Sequence, residues 1–365
     1  MILLALLALP LLLGIAGHFL GKGKVTWKEV AVHEAVVVVV LGIGYWISIS
    51  ARISDNEIWN GTISRKWKQD VRCCHTYRCN CHTTCSGSGK NRHCSEHCST
   101  CRRHPGGDVA WYAQTSNGED AFSDSCNAPG TSEPARWTQI VVGEPTAFEH
   151  SYDNYIQASP DKFPWRWDLL EKYRKQIPDY PRVYDHYRVR RVIAVGATVP
   201  GVGDLEPMLA LASARLGPRK WVNMLVVVTN AAKPEYADAL AAAWFGGKQN
   251  DLIVVVGLPH GSEIAWVRAL SWTKVETMKR SIEQRILRLG VFKGAEVAQI
   301  IVGEVEDRFI HRPATDFAYL KESIEPTPTA CWILGIIGVL LAVGLQMYFW
   351  THDPFGEEAY GRRQW

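Results

Sequence analysis

Residues 222–256 read VNMLVVVTNAAKPEYADALAAAWFGGKQNDLIVVV, two apolar runs on either side of a segment with helical spacing. The runs at 222–228 and 252–256 are rich in valine and almost entirely apolar, which is typical of strands buried on both faces of a sheet. Between them, Pro234 suits the start of a helix and Gly246-Gly247 suits its end. The predicted inward face of this helix consists of Tyr236, Ala237, Leu240, Ala241 and Trp244. The stretch therefore predicts a strand, a helix and a second strand.

The sequence before this stretch predicts another strand and another helix. Residues 188–195 read as a strand, and Asp204 is a suitable N-cap because its carboxylate can accept from free backbone N–H groups. Apolar residues then follow helical spacing as far as Gly217, a natural terminator.

The sequence after this stretch predicts a hairpin and two helices. Pro259-His260-Gly261 forms a turn, and residues 264–270 run back as a hairpin partner. Amphipathic helices are expected at 274–289 and 295–309. The complete order predicts a layered α/β domain with a mixed sheet over residues 186–312.

This order of elements resembles the TPM domain family, whose members are typically tethered to a membrane outside the cytoplasm. The likeness covers residues 188–310, about a third of the chain. It rests on motifs of two helices, one strand and a glycine-lysine turn with its following strand: Leu205-Glu206 with Leu209 and Leu216-Gly217; residues 223–228; residues 236–240 with Trp244; Gly246-Gly247-Lys248 with Asn250-Asp251 and residues 252–256. Two departures stand out. Asp251 occupies a position where the family usually has glycine, and residues 264–268 replace an Arg-rich hairpin that contains Gly-Tyr-Gly.

The TPM resemblance implies phosphatase activity, divalent-metal binding, or a role in the maintenance or assembly of membrane proteins. Only Asp204, Asn250 and Asp251 could carry a metal or substrate site of that kind. Each also has a plainer interpretation, since Asp204 suits a helix cap and Asn250-Asp251 suits a turn. The sequence contains no Gly-rich phosphate loop, nucleophile elbow or His-Glu-x-x-His motif. No catalytic residue is therefore assigned.

Three segments predict transmembrane helices: residues 1–21, 30–51 and 329–350. The last has 22 residues from Thr329 to Trp350 without a formal charge, enough to cross about 30 Å of hydrocarbon. Two alternatives stay open: residues 36–40 suit a buried strand, and the first segment suits a cleaved signal peptide.

The lysines between the first two segments predict the orientation of the chain. Lys22, Lys24 and Lys28 lie in a short connector, and such loops stay in the cytoplasm. Residues 52–328 would then lie outside the cytoplasm, on the periplasmic side, with the tail at 351–365 inside.

Residues 52–130 predict a small, irregular Cys/His-rich domain that needs cross-links, because little of its central part is apolar. Eight of the ten cysteines lie between Cys73 and Cys101, with histidines interleaved. One interpretation is a structural zinc site, since zinc prefers thiolate and imidazole ligands. Its predicted ligands are Cys74, Cys79, Cys81, Cys98, Cys101 and His104.

Two other interpretations of the cysteines are open. An extracytoplasmic location favours disulfides, although eight cysteines allow too many pairings for the connectivity to be deduced. A redox-active cluster is the third interpretation. Upstream of the cluster, Asn60-Gly61-Thr62 matches the glycosylation acceptor pattern.

Residues 131–185 predict a linking region of largely irregular structure. One short strand is expected before this region, at 109–113, and another within it, at 137–143. A short helix is expected at 167–176, ended by Pro178.

Composition and arrangement together predict a function without an enzyme motif. The net charge of +3 gives no argument for nucleic-acid binding. The whole arrangement is similar to membrane proteins encoded by large tailed bacteriophages. We predict a membrane-anchored interaction or scaffold protein that binds another membrane or envelope protein. The alternative is a metal-dependent phosphoester hydrolase of the TPM type, with its metal near Asn250 and Asp251.

Overall fold

A computed structural model describes most of the chain, which divides into two compact units. The described residues are 2–20, 25–72, 76–86, 93–102, 107–124, 132–197, 201–352 and 354–355. The helical unit comprises Met1–Asp55, Ser151–Pro164 and Pro313–Trp365. The sheet unit comprises Asn56–His150 and Trp165–Arg312.

Three helices of the helical unit are long and apolar enough to cross a membrane: α1 (Ile2–Leu20), α2 (Trp27–Ile53) and α10 (Pro328–His352). These helices confirm the three predicted segments. Residues 36–40 are helical, so the alternative of a buried strand is wrong. The helices pack through a shared apolar core that includes Leu7, Leu41 and Leu334. Lys22, Lys24 and most of the predicted tail lie outside the described residues.

Short elements at the C-terminal end of α2 complete the helical unit. They are α4 (Tyr155–Ala158) and two 3-10 segments, Pro160–Lys162 and Ala314–Ser323. The Asn154 side chain donates to Asp55 Oδ2 at 2.6 Å, and its backbone N–H donates to the Ile53 carbonyl at 2.7 Å. These bonds fix the point at which the chain leaves α2.

The sheet unit contains a four-stranded mixed sheet with the order β12-β11-β10-β9. Its strands are β9 (Val192–Val195), β10 (Asn223–Thr229), β11 (Asp251–Gly257) and β12 (Trp266–Ser271). The first three are parallel and β12 is antiparallel to β11. The mixed sheet predicted for residues 186–312 is therefore confirmed.

Helices cover both faces of this sheet. On one face, α6 (Val202–Lys220), α8 (Glu276–Leu287) and α9 (Gly294–Arg308) pack against alternate strand residues such as Val226 and Val254. On the other face, α7 (Glu235–Ala243) packs against Leu225 and Val227. Next to α7 lies α5 (Trp167–Tyr173), which a 3-10 turn, Arg174–Gln176, follows. Burial on both faces explains the unbroken apolar runs at the centres of β10 and β11.

A second four-stranded sheet of the same unit adjoins the cysteine-rich segment, which forms a two-stranded sheet of its own. Its order is β5-β4-β1-β6, with β1 (Ser54–Arg72), β4 (Gly107–Thr115), β5 (Asp120–Asp124) and β6 (Pro145–Asp153). Between β1 and β4 the chain forms an antiparallel hairpin of β2 (Thr76–Ser86) and β3 (His93–Arg102). The described residues of 52–130 thus form regular strands, where an irregular domain was predicted. The predicted boundaries near 130 and 185 do not separate compact units.

Two predicted strands differ from the structure. Residues 137–143 are not a strand. The segment begins in the helix α3 (Ala135–Gln139), the following Ile140 packs into a buried cluster, and the chain turns at Gly143, whose φ is +91°. The segment at 188–195 is two strands, β8 (Arg188–Val189), paired with β7 (Val183–Tyr184), and β9. They are separated because the Glu206 carboxylate accepts from the backbone N–H groups of Arg191 and Val192.

The ends of α6 also differ from the prediction. Gly201 is the N-cap and Asp204 lies inside the first turn, so the predicted Asp204 cap is wrong. At the other end α6 continues through Gly217 to Lys220. A Cβ added to Gly217 would lie 2.6 Å from the Asn60 Cβ. This glycine therefore permits a close approach of two elements and does not terminate the helix.

Candidate functional site

The β2–β3 hairpin brings most of the predicted zinc ligands onto one ribbon. Cys85 lies directly opposite Cys94, and His82 lies opposite His97. The register shifts between Cys79 and His82, where Asn80 has a φ of +49°. None of the described side chains of the hairpin is buried. The ribbon therefore presents its polar groups to solvent.

Six cysteines of the hairpin form three pairs at disulfide distance: Cys79–Cys101, Cys81–Cys98 and Cys85–Cys94. Four of the six predicted zinc ligands belong to these pairs. The other two, Cys74 and His104, lie outside the described residues, as do Cys73, His75 and Cys126.

Among the described residues of the hairpin, one group has metal-ligating geometry. Possible ligand atoms of Cys81, Glu96 and Cys98 all lie within 4.8 Å of one another. A cysteine ligates zinc as a thiolate and not as part of a disulfide, so the Cys81–Cys98 pair would have to be reduced to use this geometry. Disulfide and metal are thus alternative states of the same two sulfur atoms.

Asp251 lies at the start of β11 and is fully buried. Its carboxylate accepts from the Tyr180 hydroxyl at 3.0 Å, Asn223 Nδ2 at 2.8 Å and the Lys248 backbone N–H at 2.7 Å. Burial raises the pKa of Asp251 to about 6, although these hydrogen bonds act in the opposite direction. The carboxylate is thus engaged in holding the loop before β11.

Asn250 connects this loop to β1. Its side-chain Nδ2 donates to the Ile58 backbone carbonyl at 2.7 Å. Its backbone carbonyl accepts from the backbone N–H of Asn223 at 2.8 Å. Asn250 is 2 % exposed, and its Oδ1 has no hydrogen-bond partner within the described part of the chain.

The structure does not bring Asp204 together with Asn250 and Asp251. Asp204 is exposed in the first turn of α6, which follows the carboxyl end of β9. Asp251 lies at the amino end of the parallel strand β11. A strand of this length spans roughly 20 Å. The three residues therefore lie towards opposite edges of the sheet.

A buried polar network centred on Arg191 was missed by sequence reasoning. Arg191 is 2 % exposed and donates to Asn223 Oδ1 at 2.9 Å and to Asn60 Oδ1 at 2.5 Å. Burial lowers the pKa of Arg191 to about 10. The sequence signal was an arginine directly before the apolar run of β9. Asn60 is 3 % exposed, and its amide also donates to the Val222 carbonyl at 3.1 Å, so the glycosylation motif lies in a packed interior.

An aromatic cleft lies beside this network. It has a volume of about 110 Å³, and its walls include Trp59, Trp221, Asn117 and Asn250. Trp59 stacks on His150 with ring centroids 3.6 Å apart. Trp221 is 50 % exposed, so the cleft presents an aromatic ring to solvent. Of the predicted site residues, Asn250 reaches this cleft.

Comparison of the chain with protein-family models, with curated proteins and with solved structures gives no match. The resemblance to the TPM domain family stays a prediction, as does the resemblance to bacteriophage membrane proteins.

Proposed function

We propose that this protein is a membrane-anchored interaction module that uses the β2–β3 hairpin to bind another membrane or envelope protein. The observation that carries the proposal is the exposure of the hairpin together with its three cysteine pairs. The described hairpin residues bury no side chain, so these cross-links do not serve a hydrophobic core.

Cross-links in an exposed ribbon favour binding. They restrict the conformations of the free hairpin, so less conformational entropy is lost when a partner binds. The His82–His97 pair adds imidazole groups to the same ribbon, with ring centroids 5.8 Å apart. These groups and the neighbouring hydroxyls suit a polar partner surface.

The proposed topology places the sheet unit outside the cytoplasm. Disulfides persist in oxidising compartments and are rare in the cytosol. The three pairs therefore support the orientation that the connector lysines predict. The predicted zinc belongs, in this proposal, to a reduced hairpin in which Cys81 and Cys98 are thiolates beside Glu96.

The metal-dependent phosphoester hydrolase stays a prediction to which the described residues add no support. The Asp251 oxygens already accept bonds from Tyr180, Asn223 and Lys248. Asp204 lies towards the other edge of the sheet.

Thiol alkylation separates the disulfide and zinc states. We expect that the six hairpin cysteines of the full chain, denatured without reductant, resist alkylation, and that reductant exposes all six. Six reactive thiols with one chelator-removable zinc ion per chain would instead establish the metal state.

Site-specific photo-crosslinking in native membranes tests the proposed partner surface. A photoreactive residue at the exposed Thr83 of β2 should form a defined adduct with one protein. The same residue at the exposed Arg288, at the end of α8, should not. The Thr83 adduct should disappear when Cys85 and Cys94 are replaced by serine. No adduct, or the same adduct from both positions, would refute a hairpin interface.

A further inference from the structure

The aromatic cleft of the sheet unit takes no part in the proposed partner binding. Its accessible wall is formed by the exposed residues Asn117, Pro218 and Trp221 and by the half-buried Trp59. None of the described residues that line it has an ionisable side chain. A charged ligand would lose hydration there without meeting an opposite charge, which is unfavourable. The composition of the wall therefore selects a neutral ligand.

Two indole rings meet at a corner of the cleft. Trp59 is held by two contacts, because its ring stacks on His150 and its Nε1 donates to Glu57 Oε1 at 2.7 Å. The centroids of the Trp59 and Trp221 rings are 4.9 Å apart, and the two planes make an angle of 76°. The faces of aromatic rings carry partial negative charge, which attracts the edges of C–H groups. The corner is therefore an apolar surface that favours C–H groups.

Trp221 has a backbone conformation that tryptophan rarely adopts. It is the C-cap of α6, with φ +54° and ψ +53° in the left-handed region. Glycine is the usual residue at such a helix end, because a side chain is strained there. About half of Trp221 is exposed, so burial in a core does not explain the choice of residue. A strained residue that packing does not require points to a binding role.

The size and the hydrogen-bonding groups of the cleft define the ligand further. Its volume is about 110 Å³, and a closed cavity of about 150 Å³ accommodates benzene. The open cleft thus has room for one six-membered ring with an edge in solvent. Asn117 Nδ2 donates to the Asn60 backbone carbonyl at 3.1 Å. Within the described part of the chain, the Asn117 Oδ1 and the second Nδ2 hydrogen remain available to a ligand that both donates and accepts.

We propose that this cleft binds the terminal pyranose ring of a neutral glycan. A pyranose has a face of C–H groups, which lies on the Trp221 indole in the corner with Trp59. Its hydroxyl groups both donate and accept, so they match the two available positions of the Asn117 amide. A ring at the end of a glycan fits an open cleft, since the next sugar extends into solvent. The site is independent of the hairpin, and its failure would leave the proposed partner binding untouched.

Saturation-transfer NMR of the full chain in nanodiscs, with empty nanodiscs as the blank, tests the proposal. The probes are the methyl glycosides of glucose, galactose, mannose and N-acetylglucosamine. Cyclohexanol is the control for ring size alone, and tetramethylammonium is the control for a cation, which aromatic faces also bind. We expect saturable transfer to at least one glycoside, strongest at the C–H groups of one ring face, and weaker binding of both controls. A disaccharide glycoside with the same sugar at its non-reducing end should bind at least as tightly.

Trp221→Gly separates binding from folding, because glycine removes the ring and relieves the left-handed strain. This variant should remain folded and should lose the saturable binding of the glycoside. Phe245→Gly is the matched control, since Phe245 also has a positive φ, of +51°, but does not line the cleft. It should keep the wild-type affinity. Asn117→Ala should bind the glycoside about fivefold more weakly, through the loss of its hydrogen-bonding groups.

Three results would overturn the proposal: no saturable transfer to any glycoside, undiminished binding in either Trp221→Gly or Asn117→Ala, or binding of cyclohexanol or tetramethylammonium as tight as that of the best glycoside. Weaker binding of the disaccharide than of the single ring would overturn the assignment of a terminal ring.

Discussion

Asp251 shows how burial and hydrogen bonding oppose each other at a single carboxyl group. Complete burial raises its pKa to about 6, while Tyr180, Asn223 and Lys248 donate to its oxygens. In the unfolded chain an aspartate has a pKa of about 3.9. The folded state therefore holds the proton to a higher pH than the unfolded state does.

The raised pKa of Asp251 predicts a pH dependence of stability. Between about pH 4 and pH 6 the unfolded chain binds fewer protons, so the free energy of unfolding should fall by on the order of 3 kcal/mol as the pH rises. Above pH 6 this contribution should be constant. Asp251→Asn should remove the slope, and Asp204→Asn, at an exposed site, should keep it. Thermal unfolding from pH 4 to pH 7 measures this, and parallel profiles for wild type and Asp251→Asn would contradict it.

Asn60 and Asn117, two side-chain amides near the aromatic cleft, differ in the charge of the group to which they are hydrogen-bonded. Asn60 accepts from the buried Arg191 guanidinium, whereas Asn117 donates to the neutral Asn60 carbonyl. Asn60→Ala should lower the free energy of unfolding by about 3 kcal/mol, because it removes one of the two side-chain partners of a buried charge and leaves Asn223 as the other. Asn117→Ala should cost about 1 kcal/mol. Denaturant unfolding of both variants tests the order, and equal losses would show that Arg191 does not depend on Asn60.

At the scale of elements, the sequence predicted those strands and helices whose apolar residues recur with a regular spacing. The strands β10 and β11 are buried at every position, so their apolar runs were sufficient to predict them. In contrast, β1 contains SRKWKQDVR at 64–72, whose side chains are mostly exposed or half-buried. That strand is held by its pairing with β4, a contact that no local pattern encodes.

The candidate sites were predicted less well than the elements, for a related reason. Arg191, Asn60 and Asn223 come from three distant parts of the chain, and their burial depends on how β1 packs in the sheet unit. Each residue type is ordinarily exposed. Asn250 and Asp251 were identified because they lie at the start of a predicted strand. Their hydrogen-bond partners could not be predicted, because these are distant in the sequence.

Two glycines of α6 have opposite roles in the helix, although both are helical. Gly203 has open space around its Cα, whereas Gly217 lies against Asn60. Gly203→Ala should raise the free energy of unfolding by about 0.5 kcal/mol, because alanine is the better helix former. Gly217→Ala should lower it by about 2 kcal/mol through the clash at 2.6 Å. Denaturant titration of the two variants measures both values. If both variants were more stable than wild type, the close approach of Gly217 to Asn60 would not require a glycine.

At the scale of the whole molecule, both compact units are assembled from separated parts of the chain. The helical unit takes residues from both ends and from Ser151–Pro164. The sequence prediction divided the chain into consecutive segments, since composition changes along the chain are all that a sequence shows. The lysines of the α1–α2 connector then carry the prediction of orientation.

Labelling of intact cells with a membrane-impermeant maleimide tests this orientation. Thr83 is exposed on β2, and Thr351 is exposed near the end of α10, so the proposed topology places them on opposite sides of the membrane. Thr83→Cys should be labelled in intact cells, and Thr351→Cys only after permeabilisation, with wild type as the background for native thiols. The reverse pattern would place the hairpin in the cytoplasm. There its cysteines would be kept reduced, and the Cys81, Glu96 and Cys98 group would become the relevant state of the hairpin.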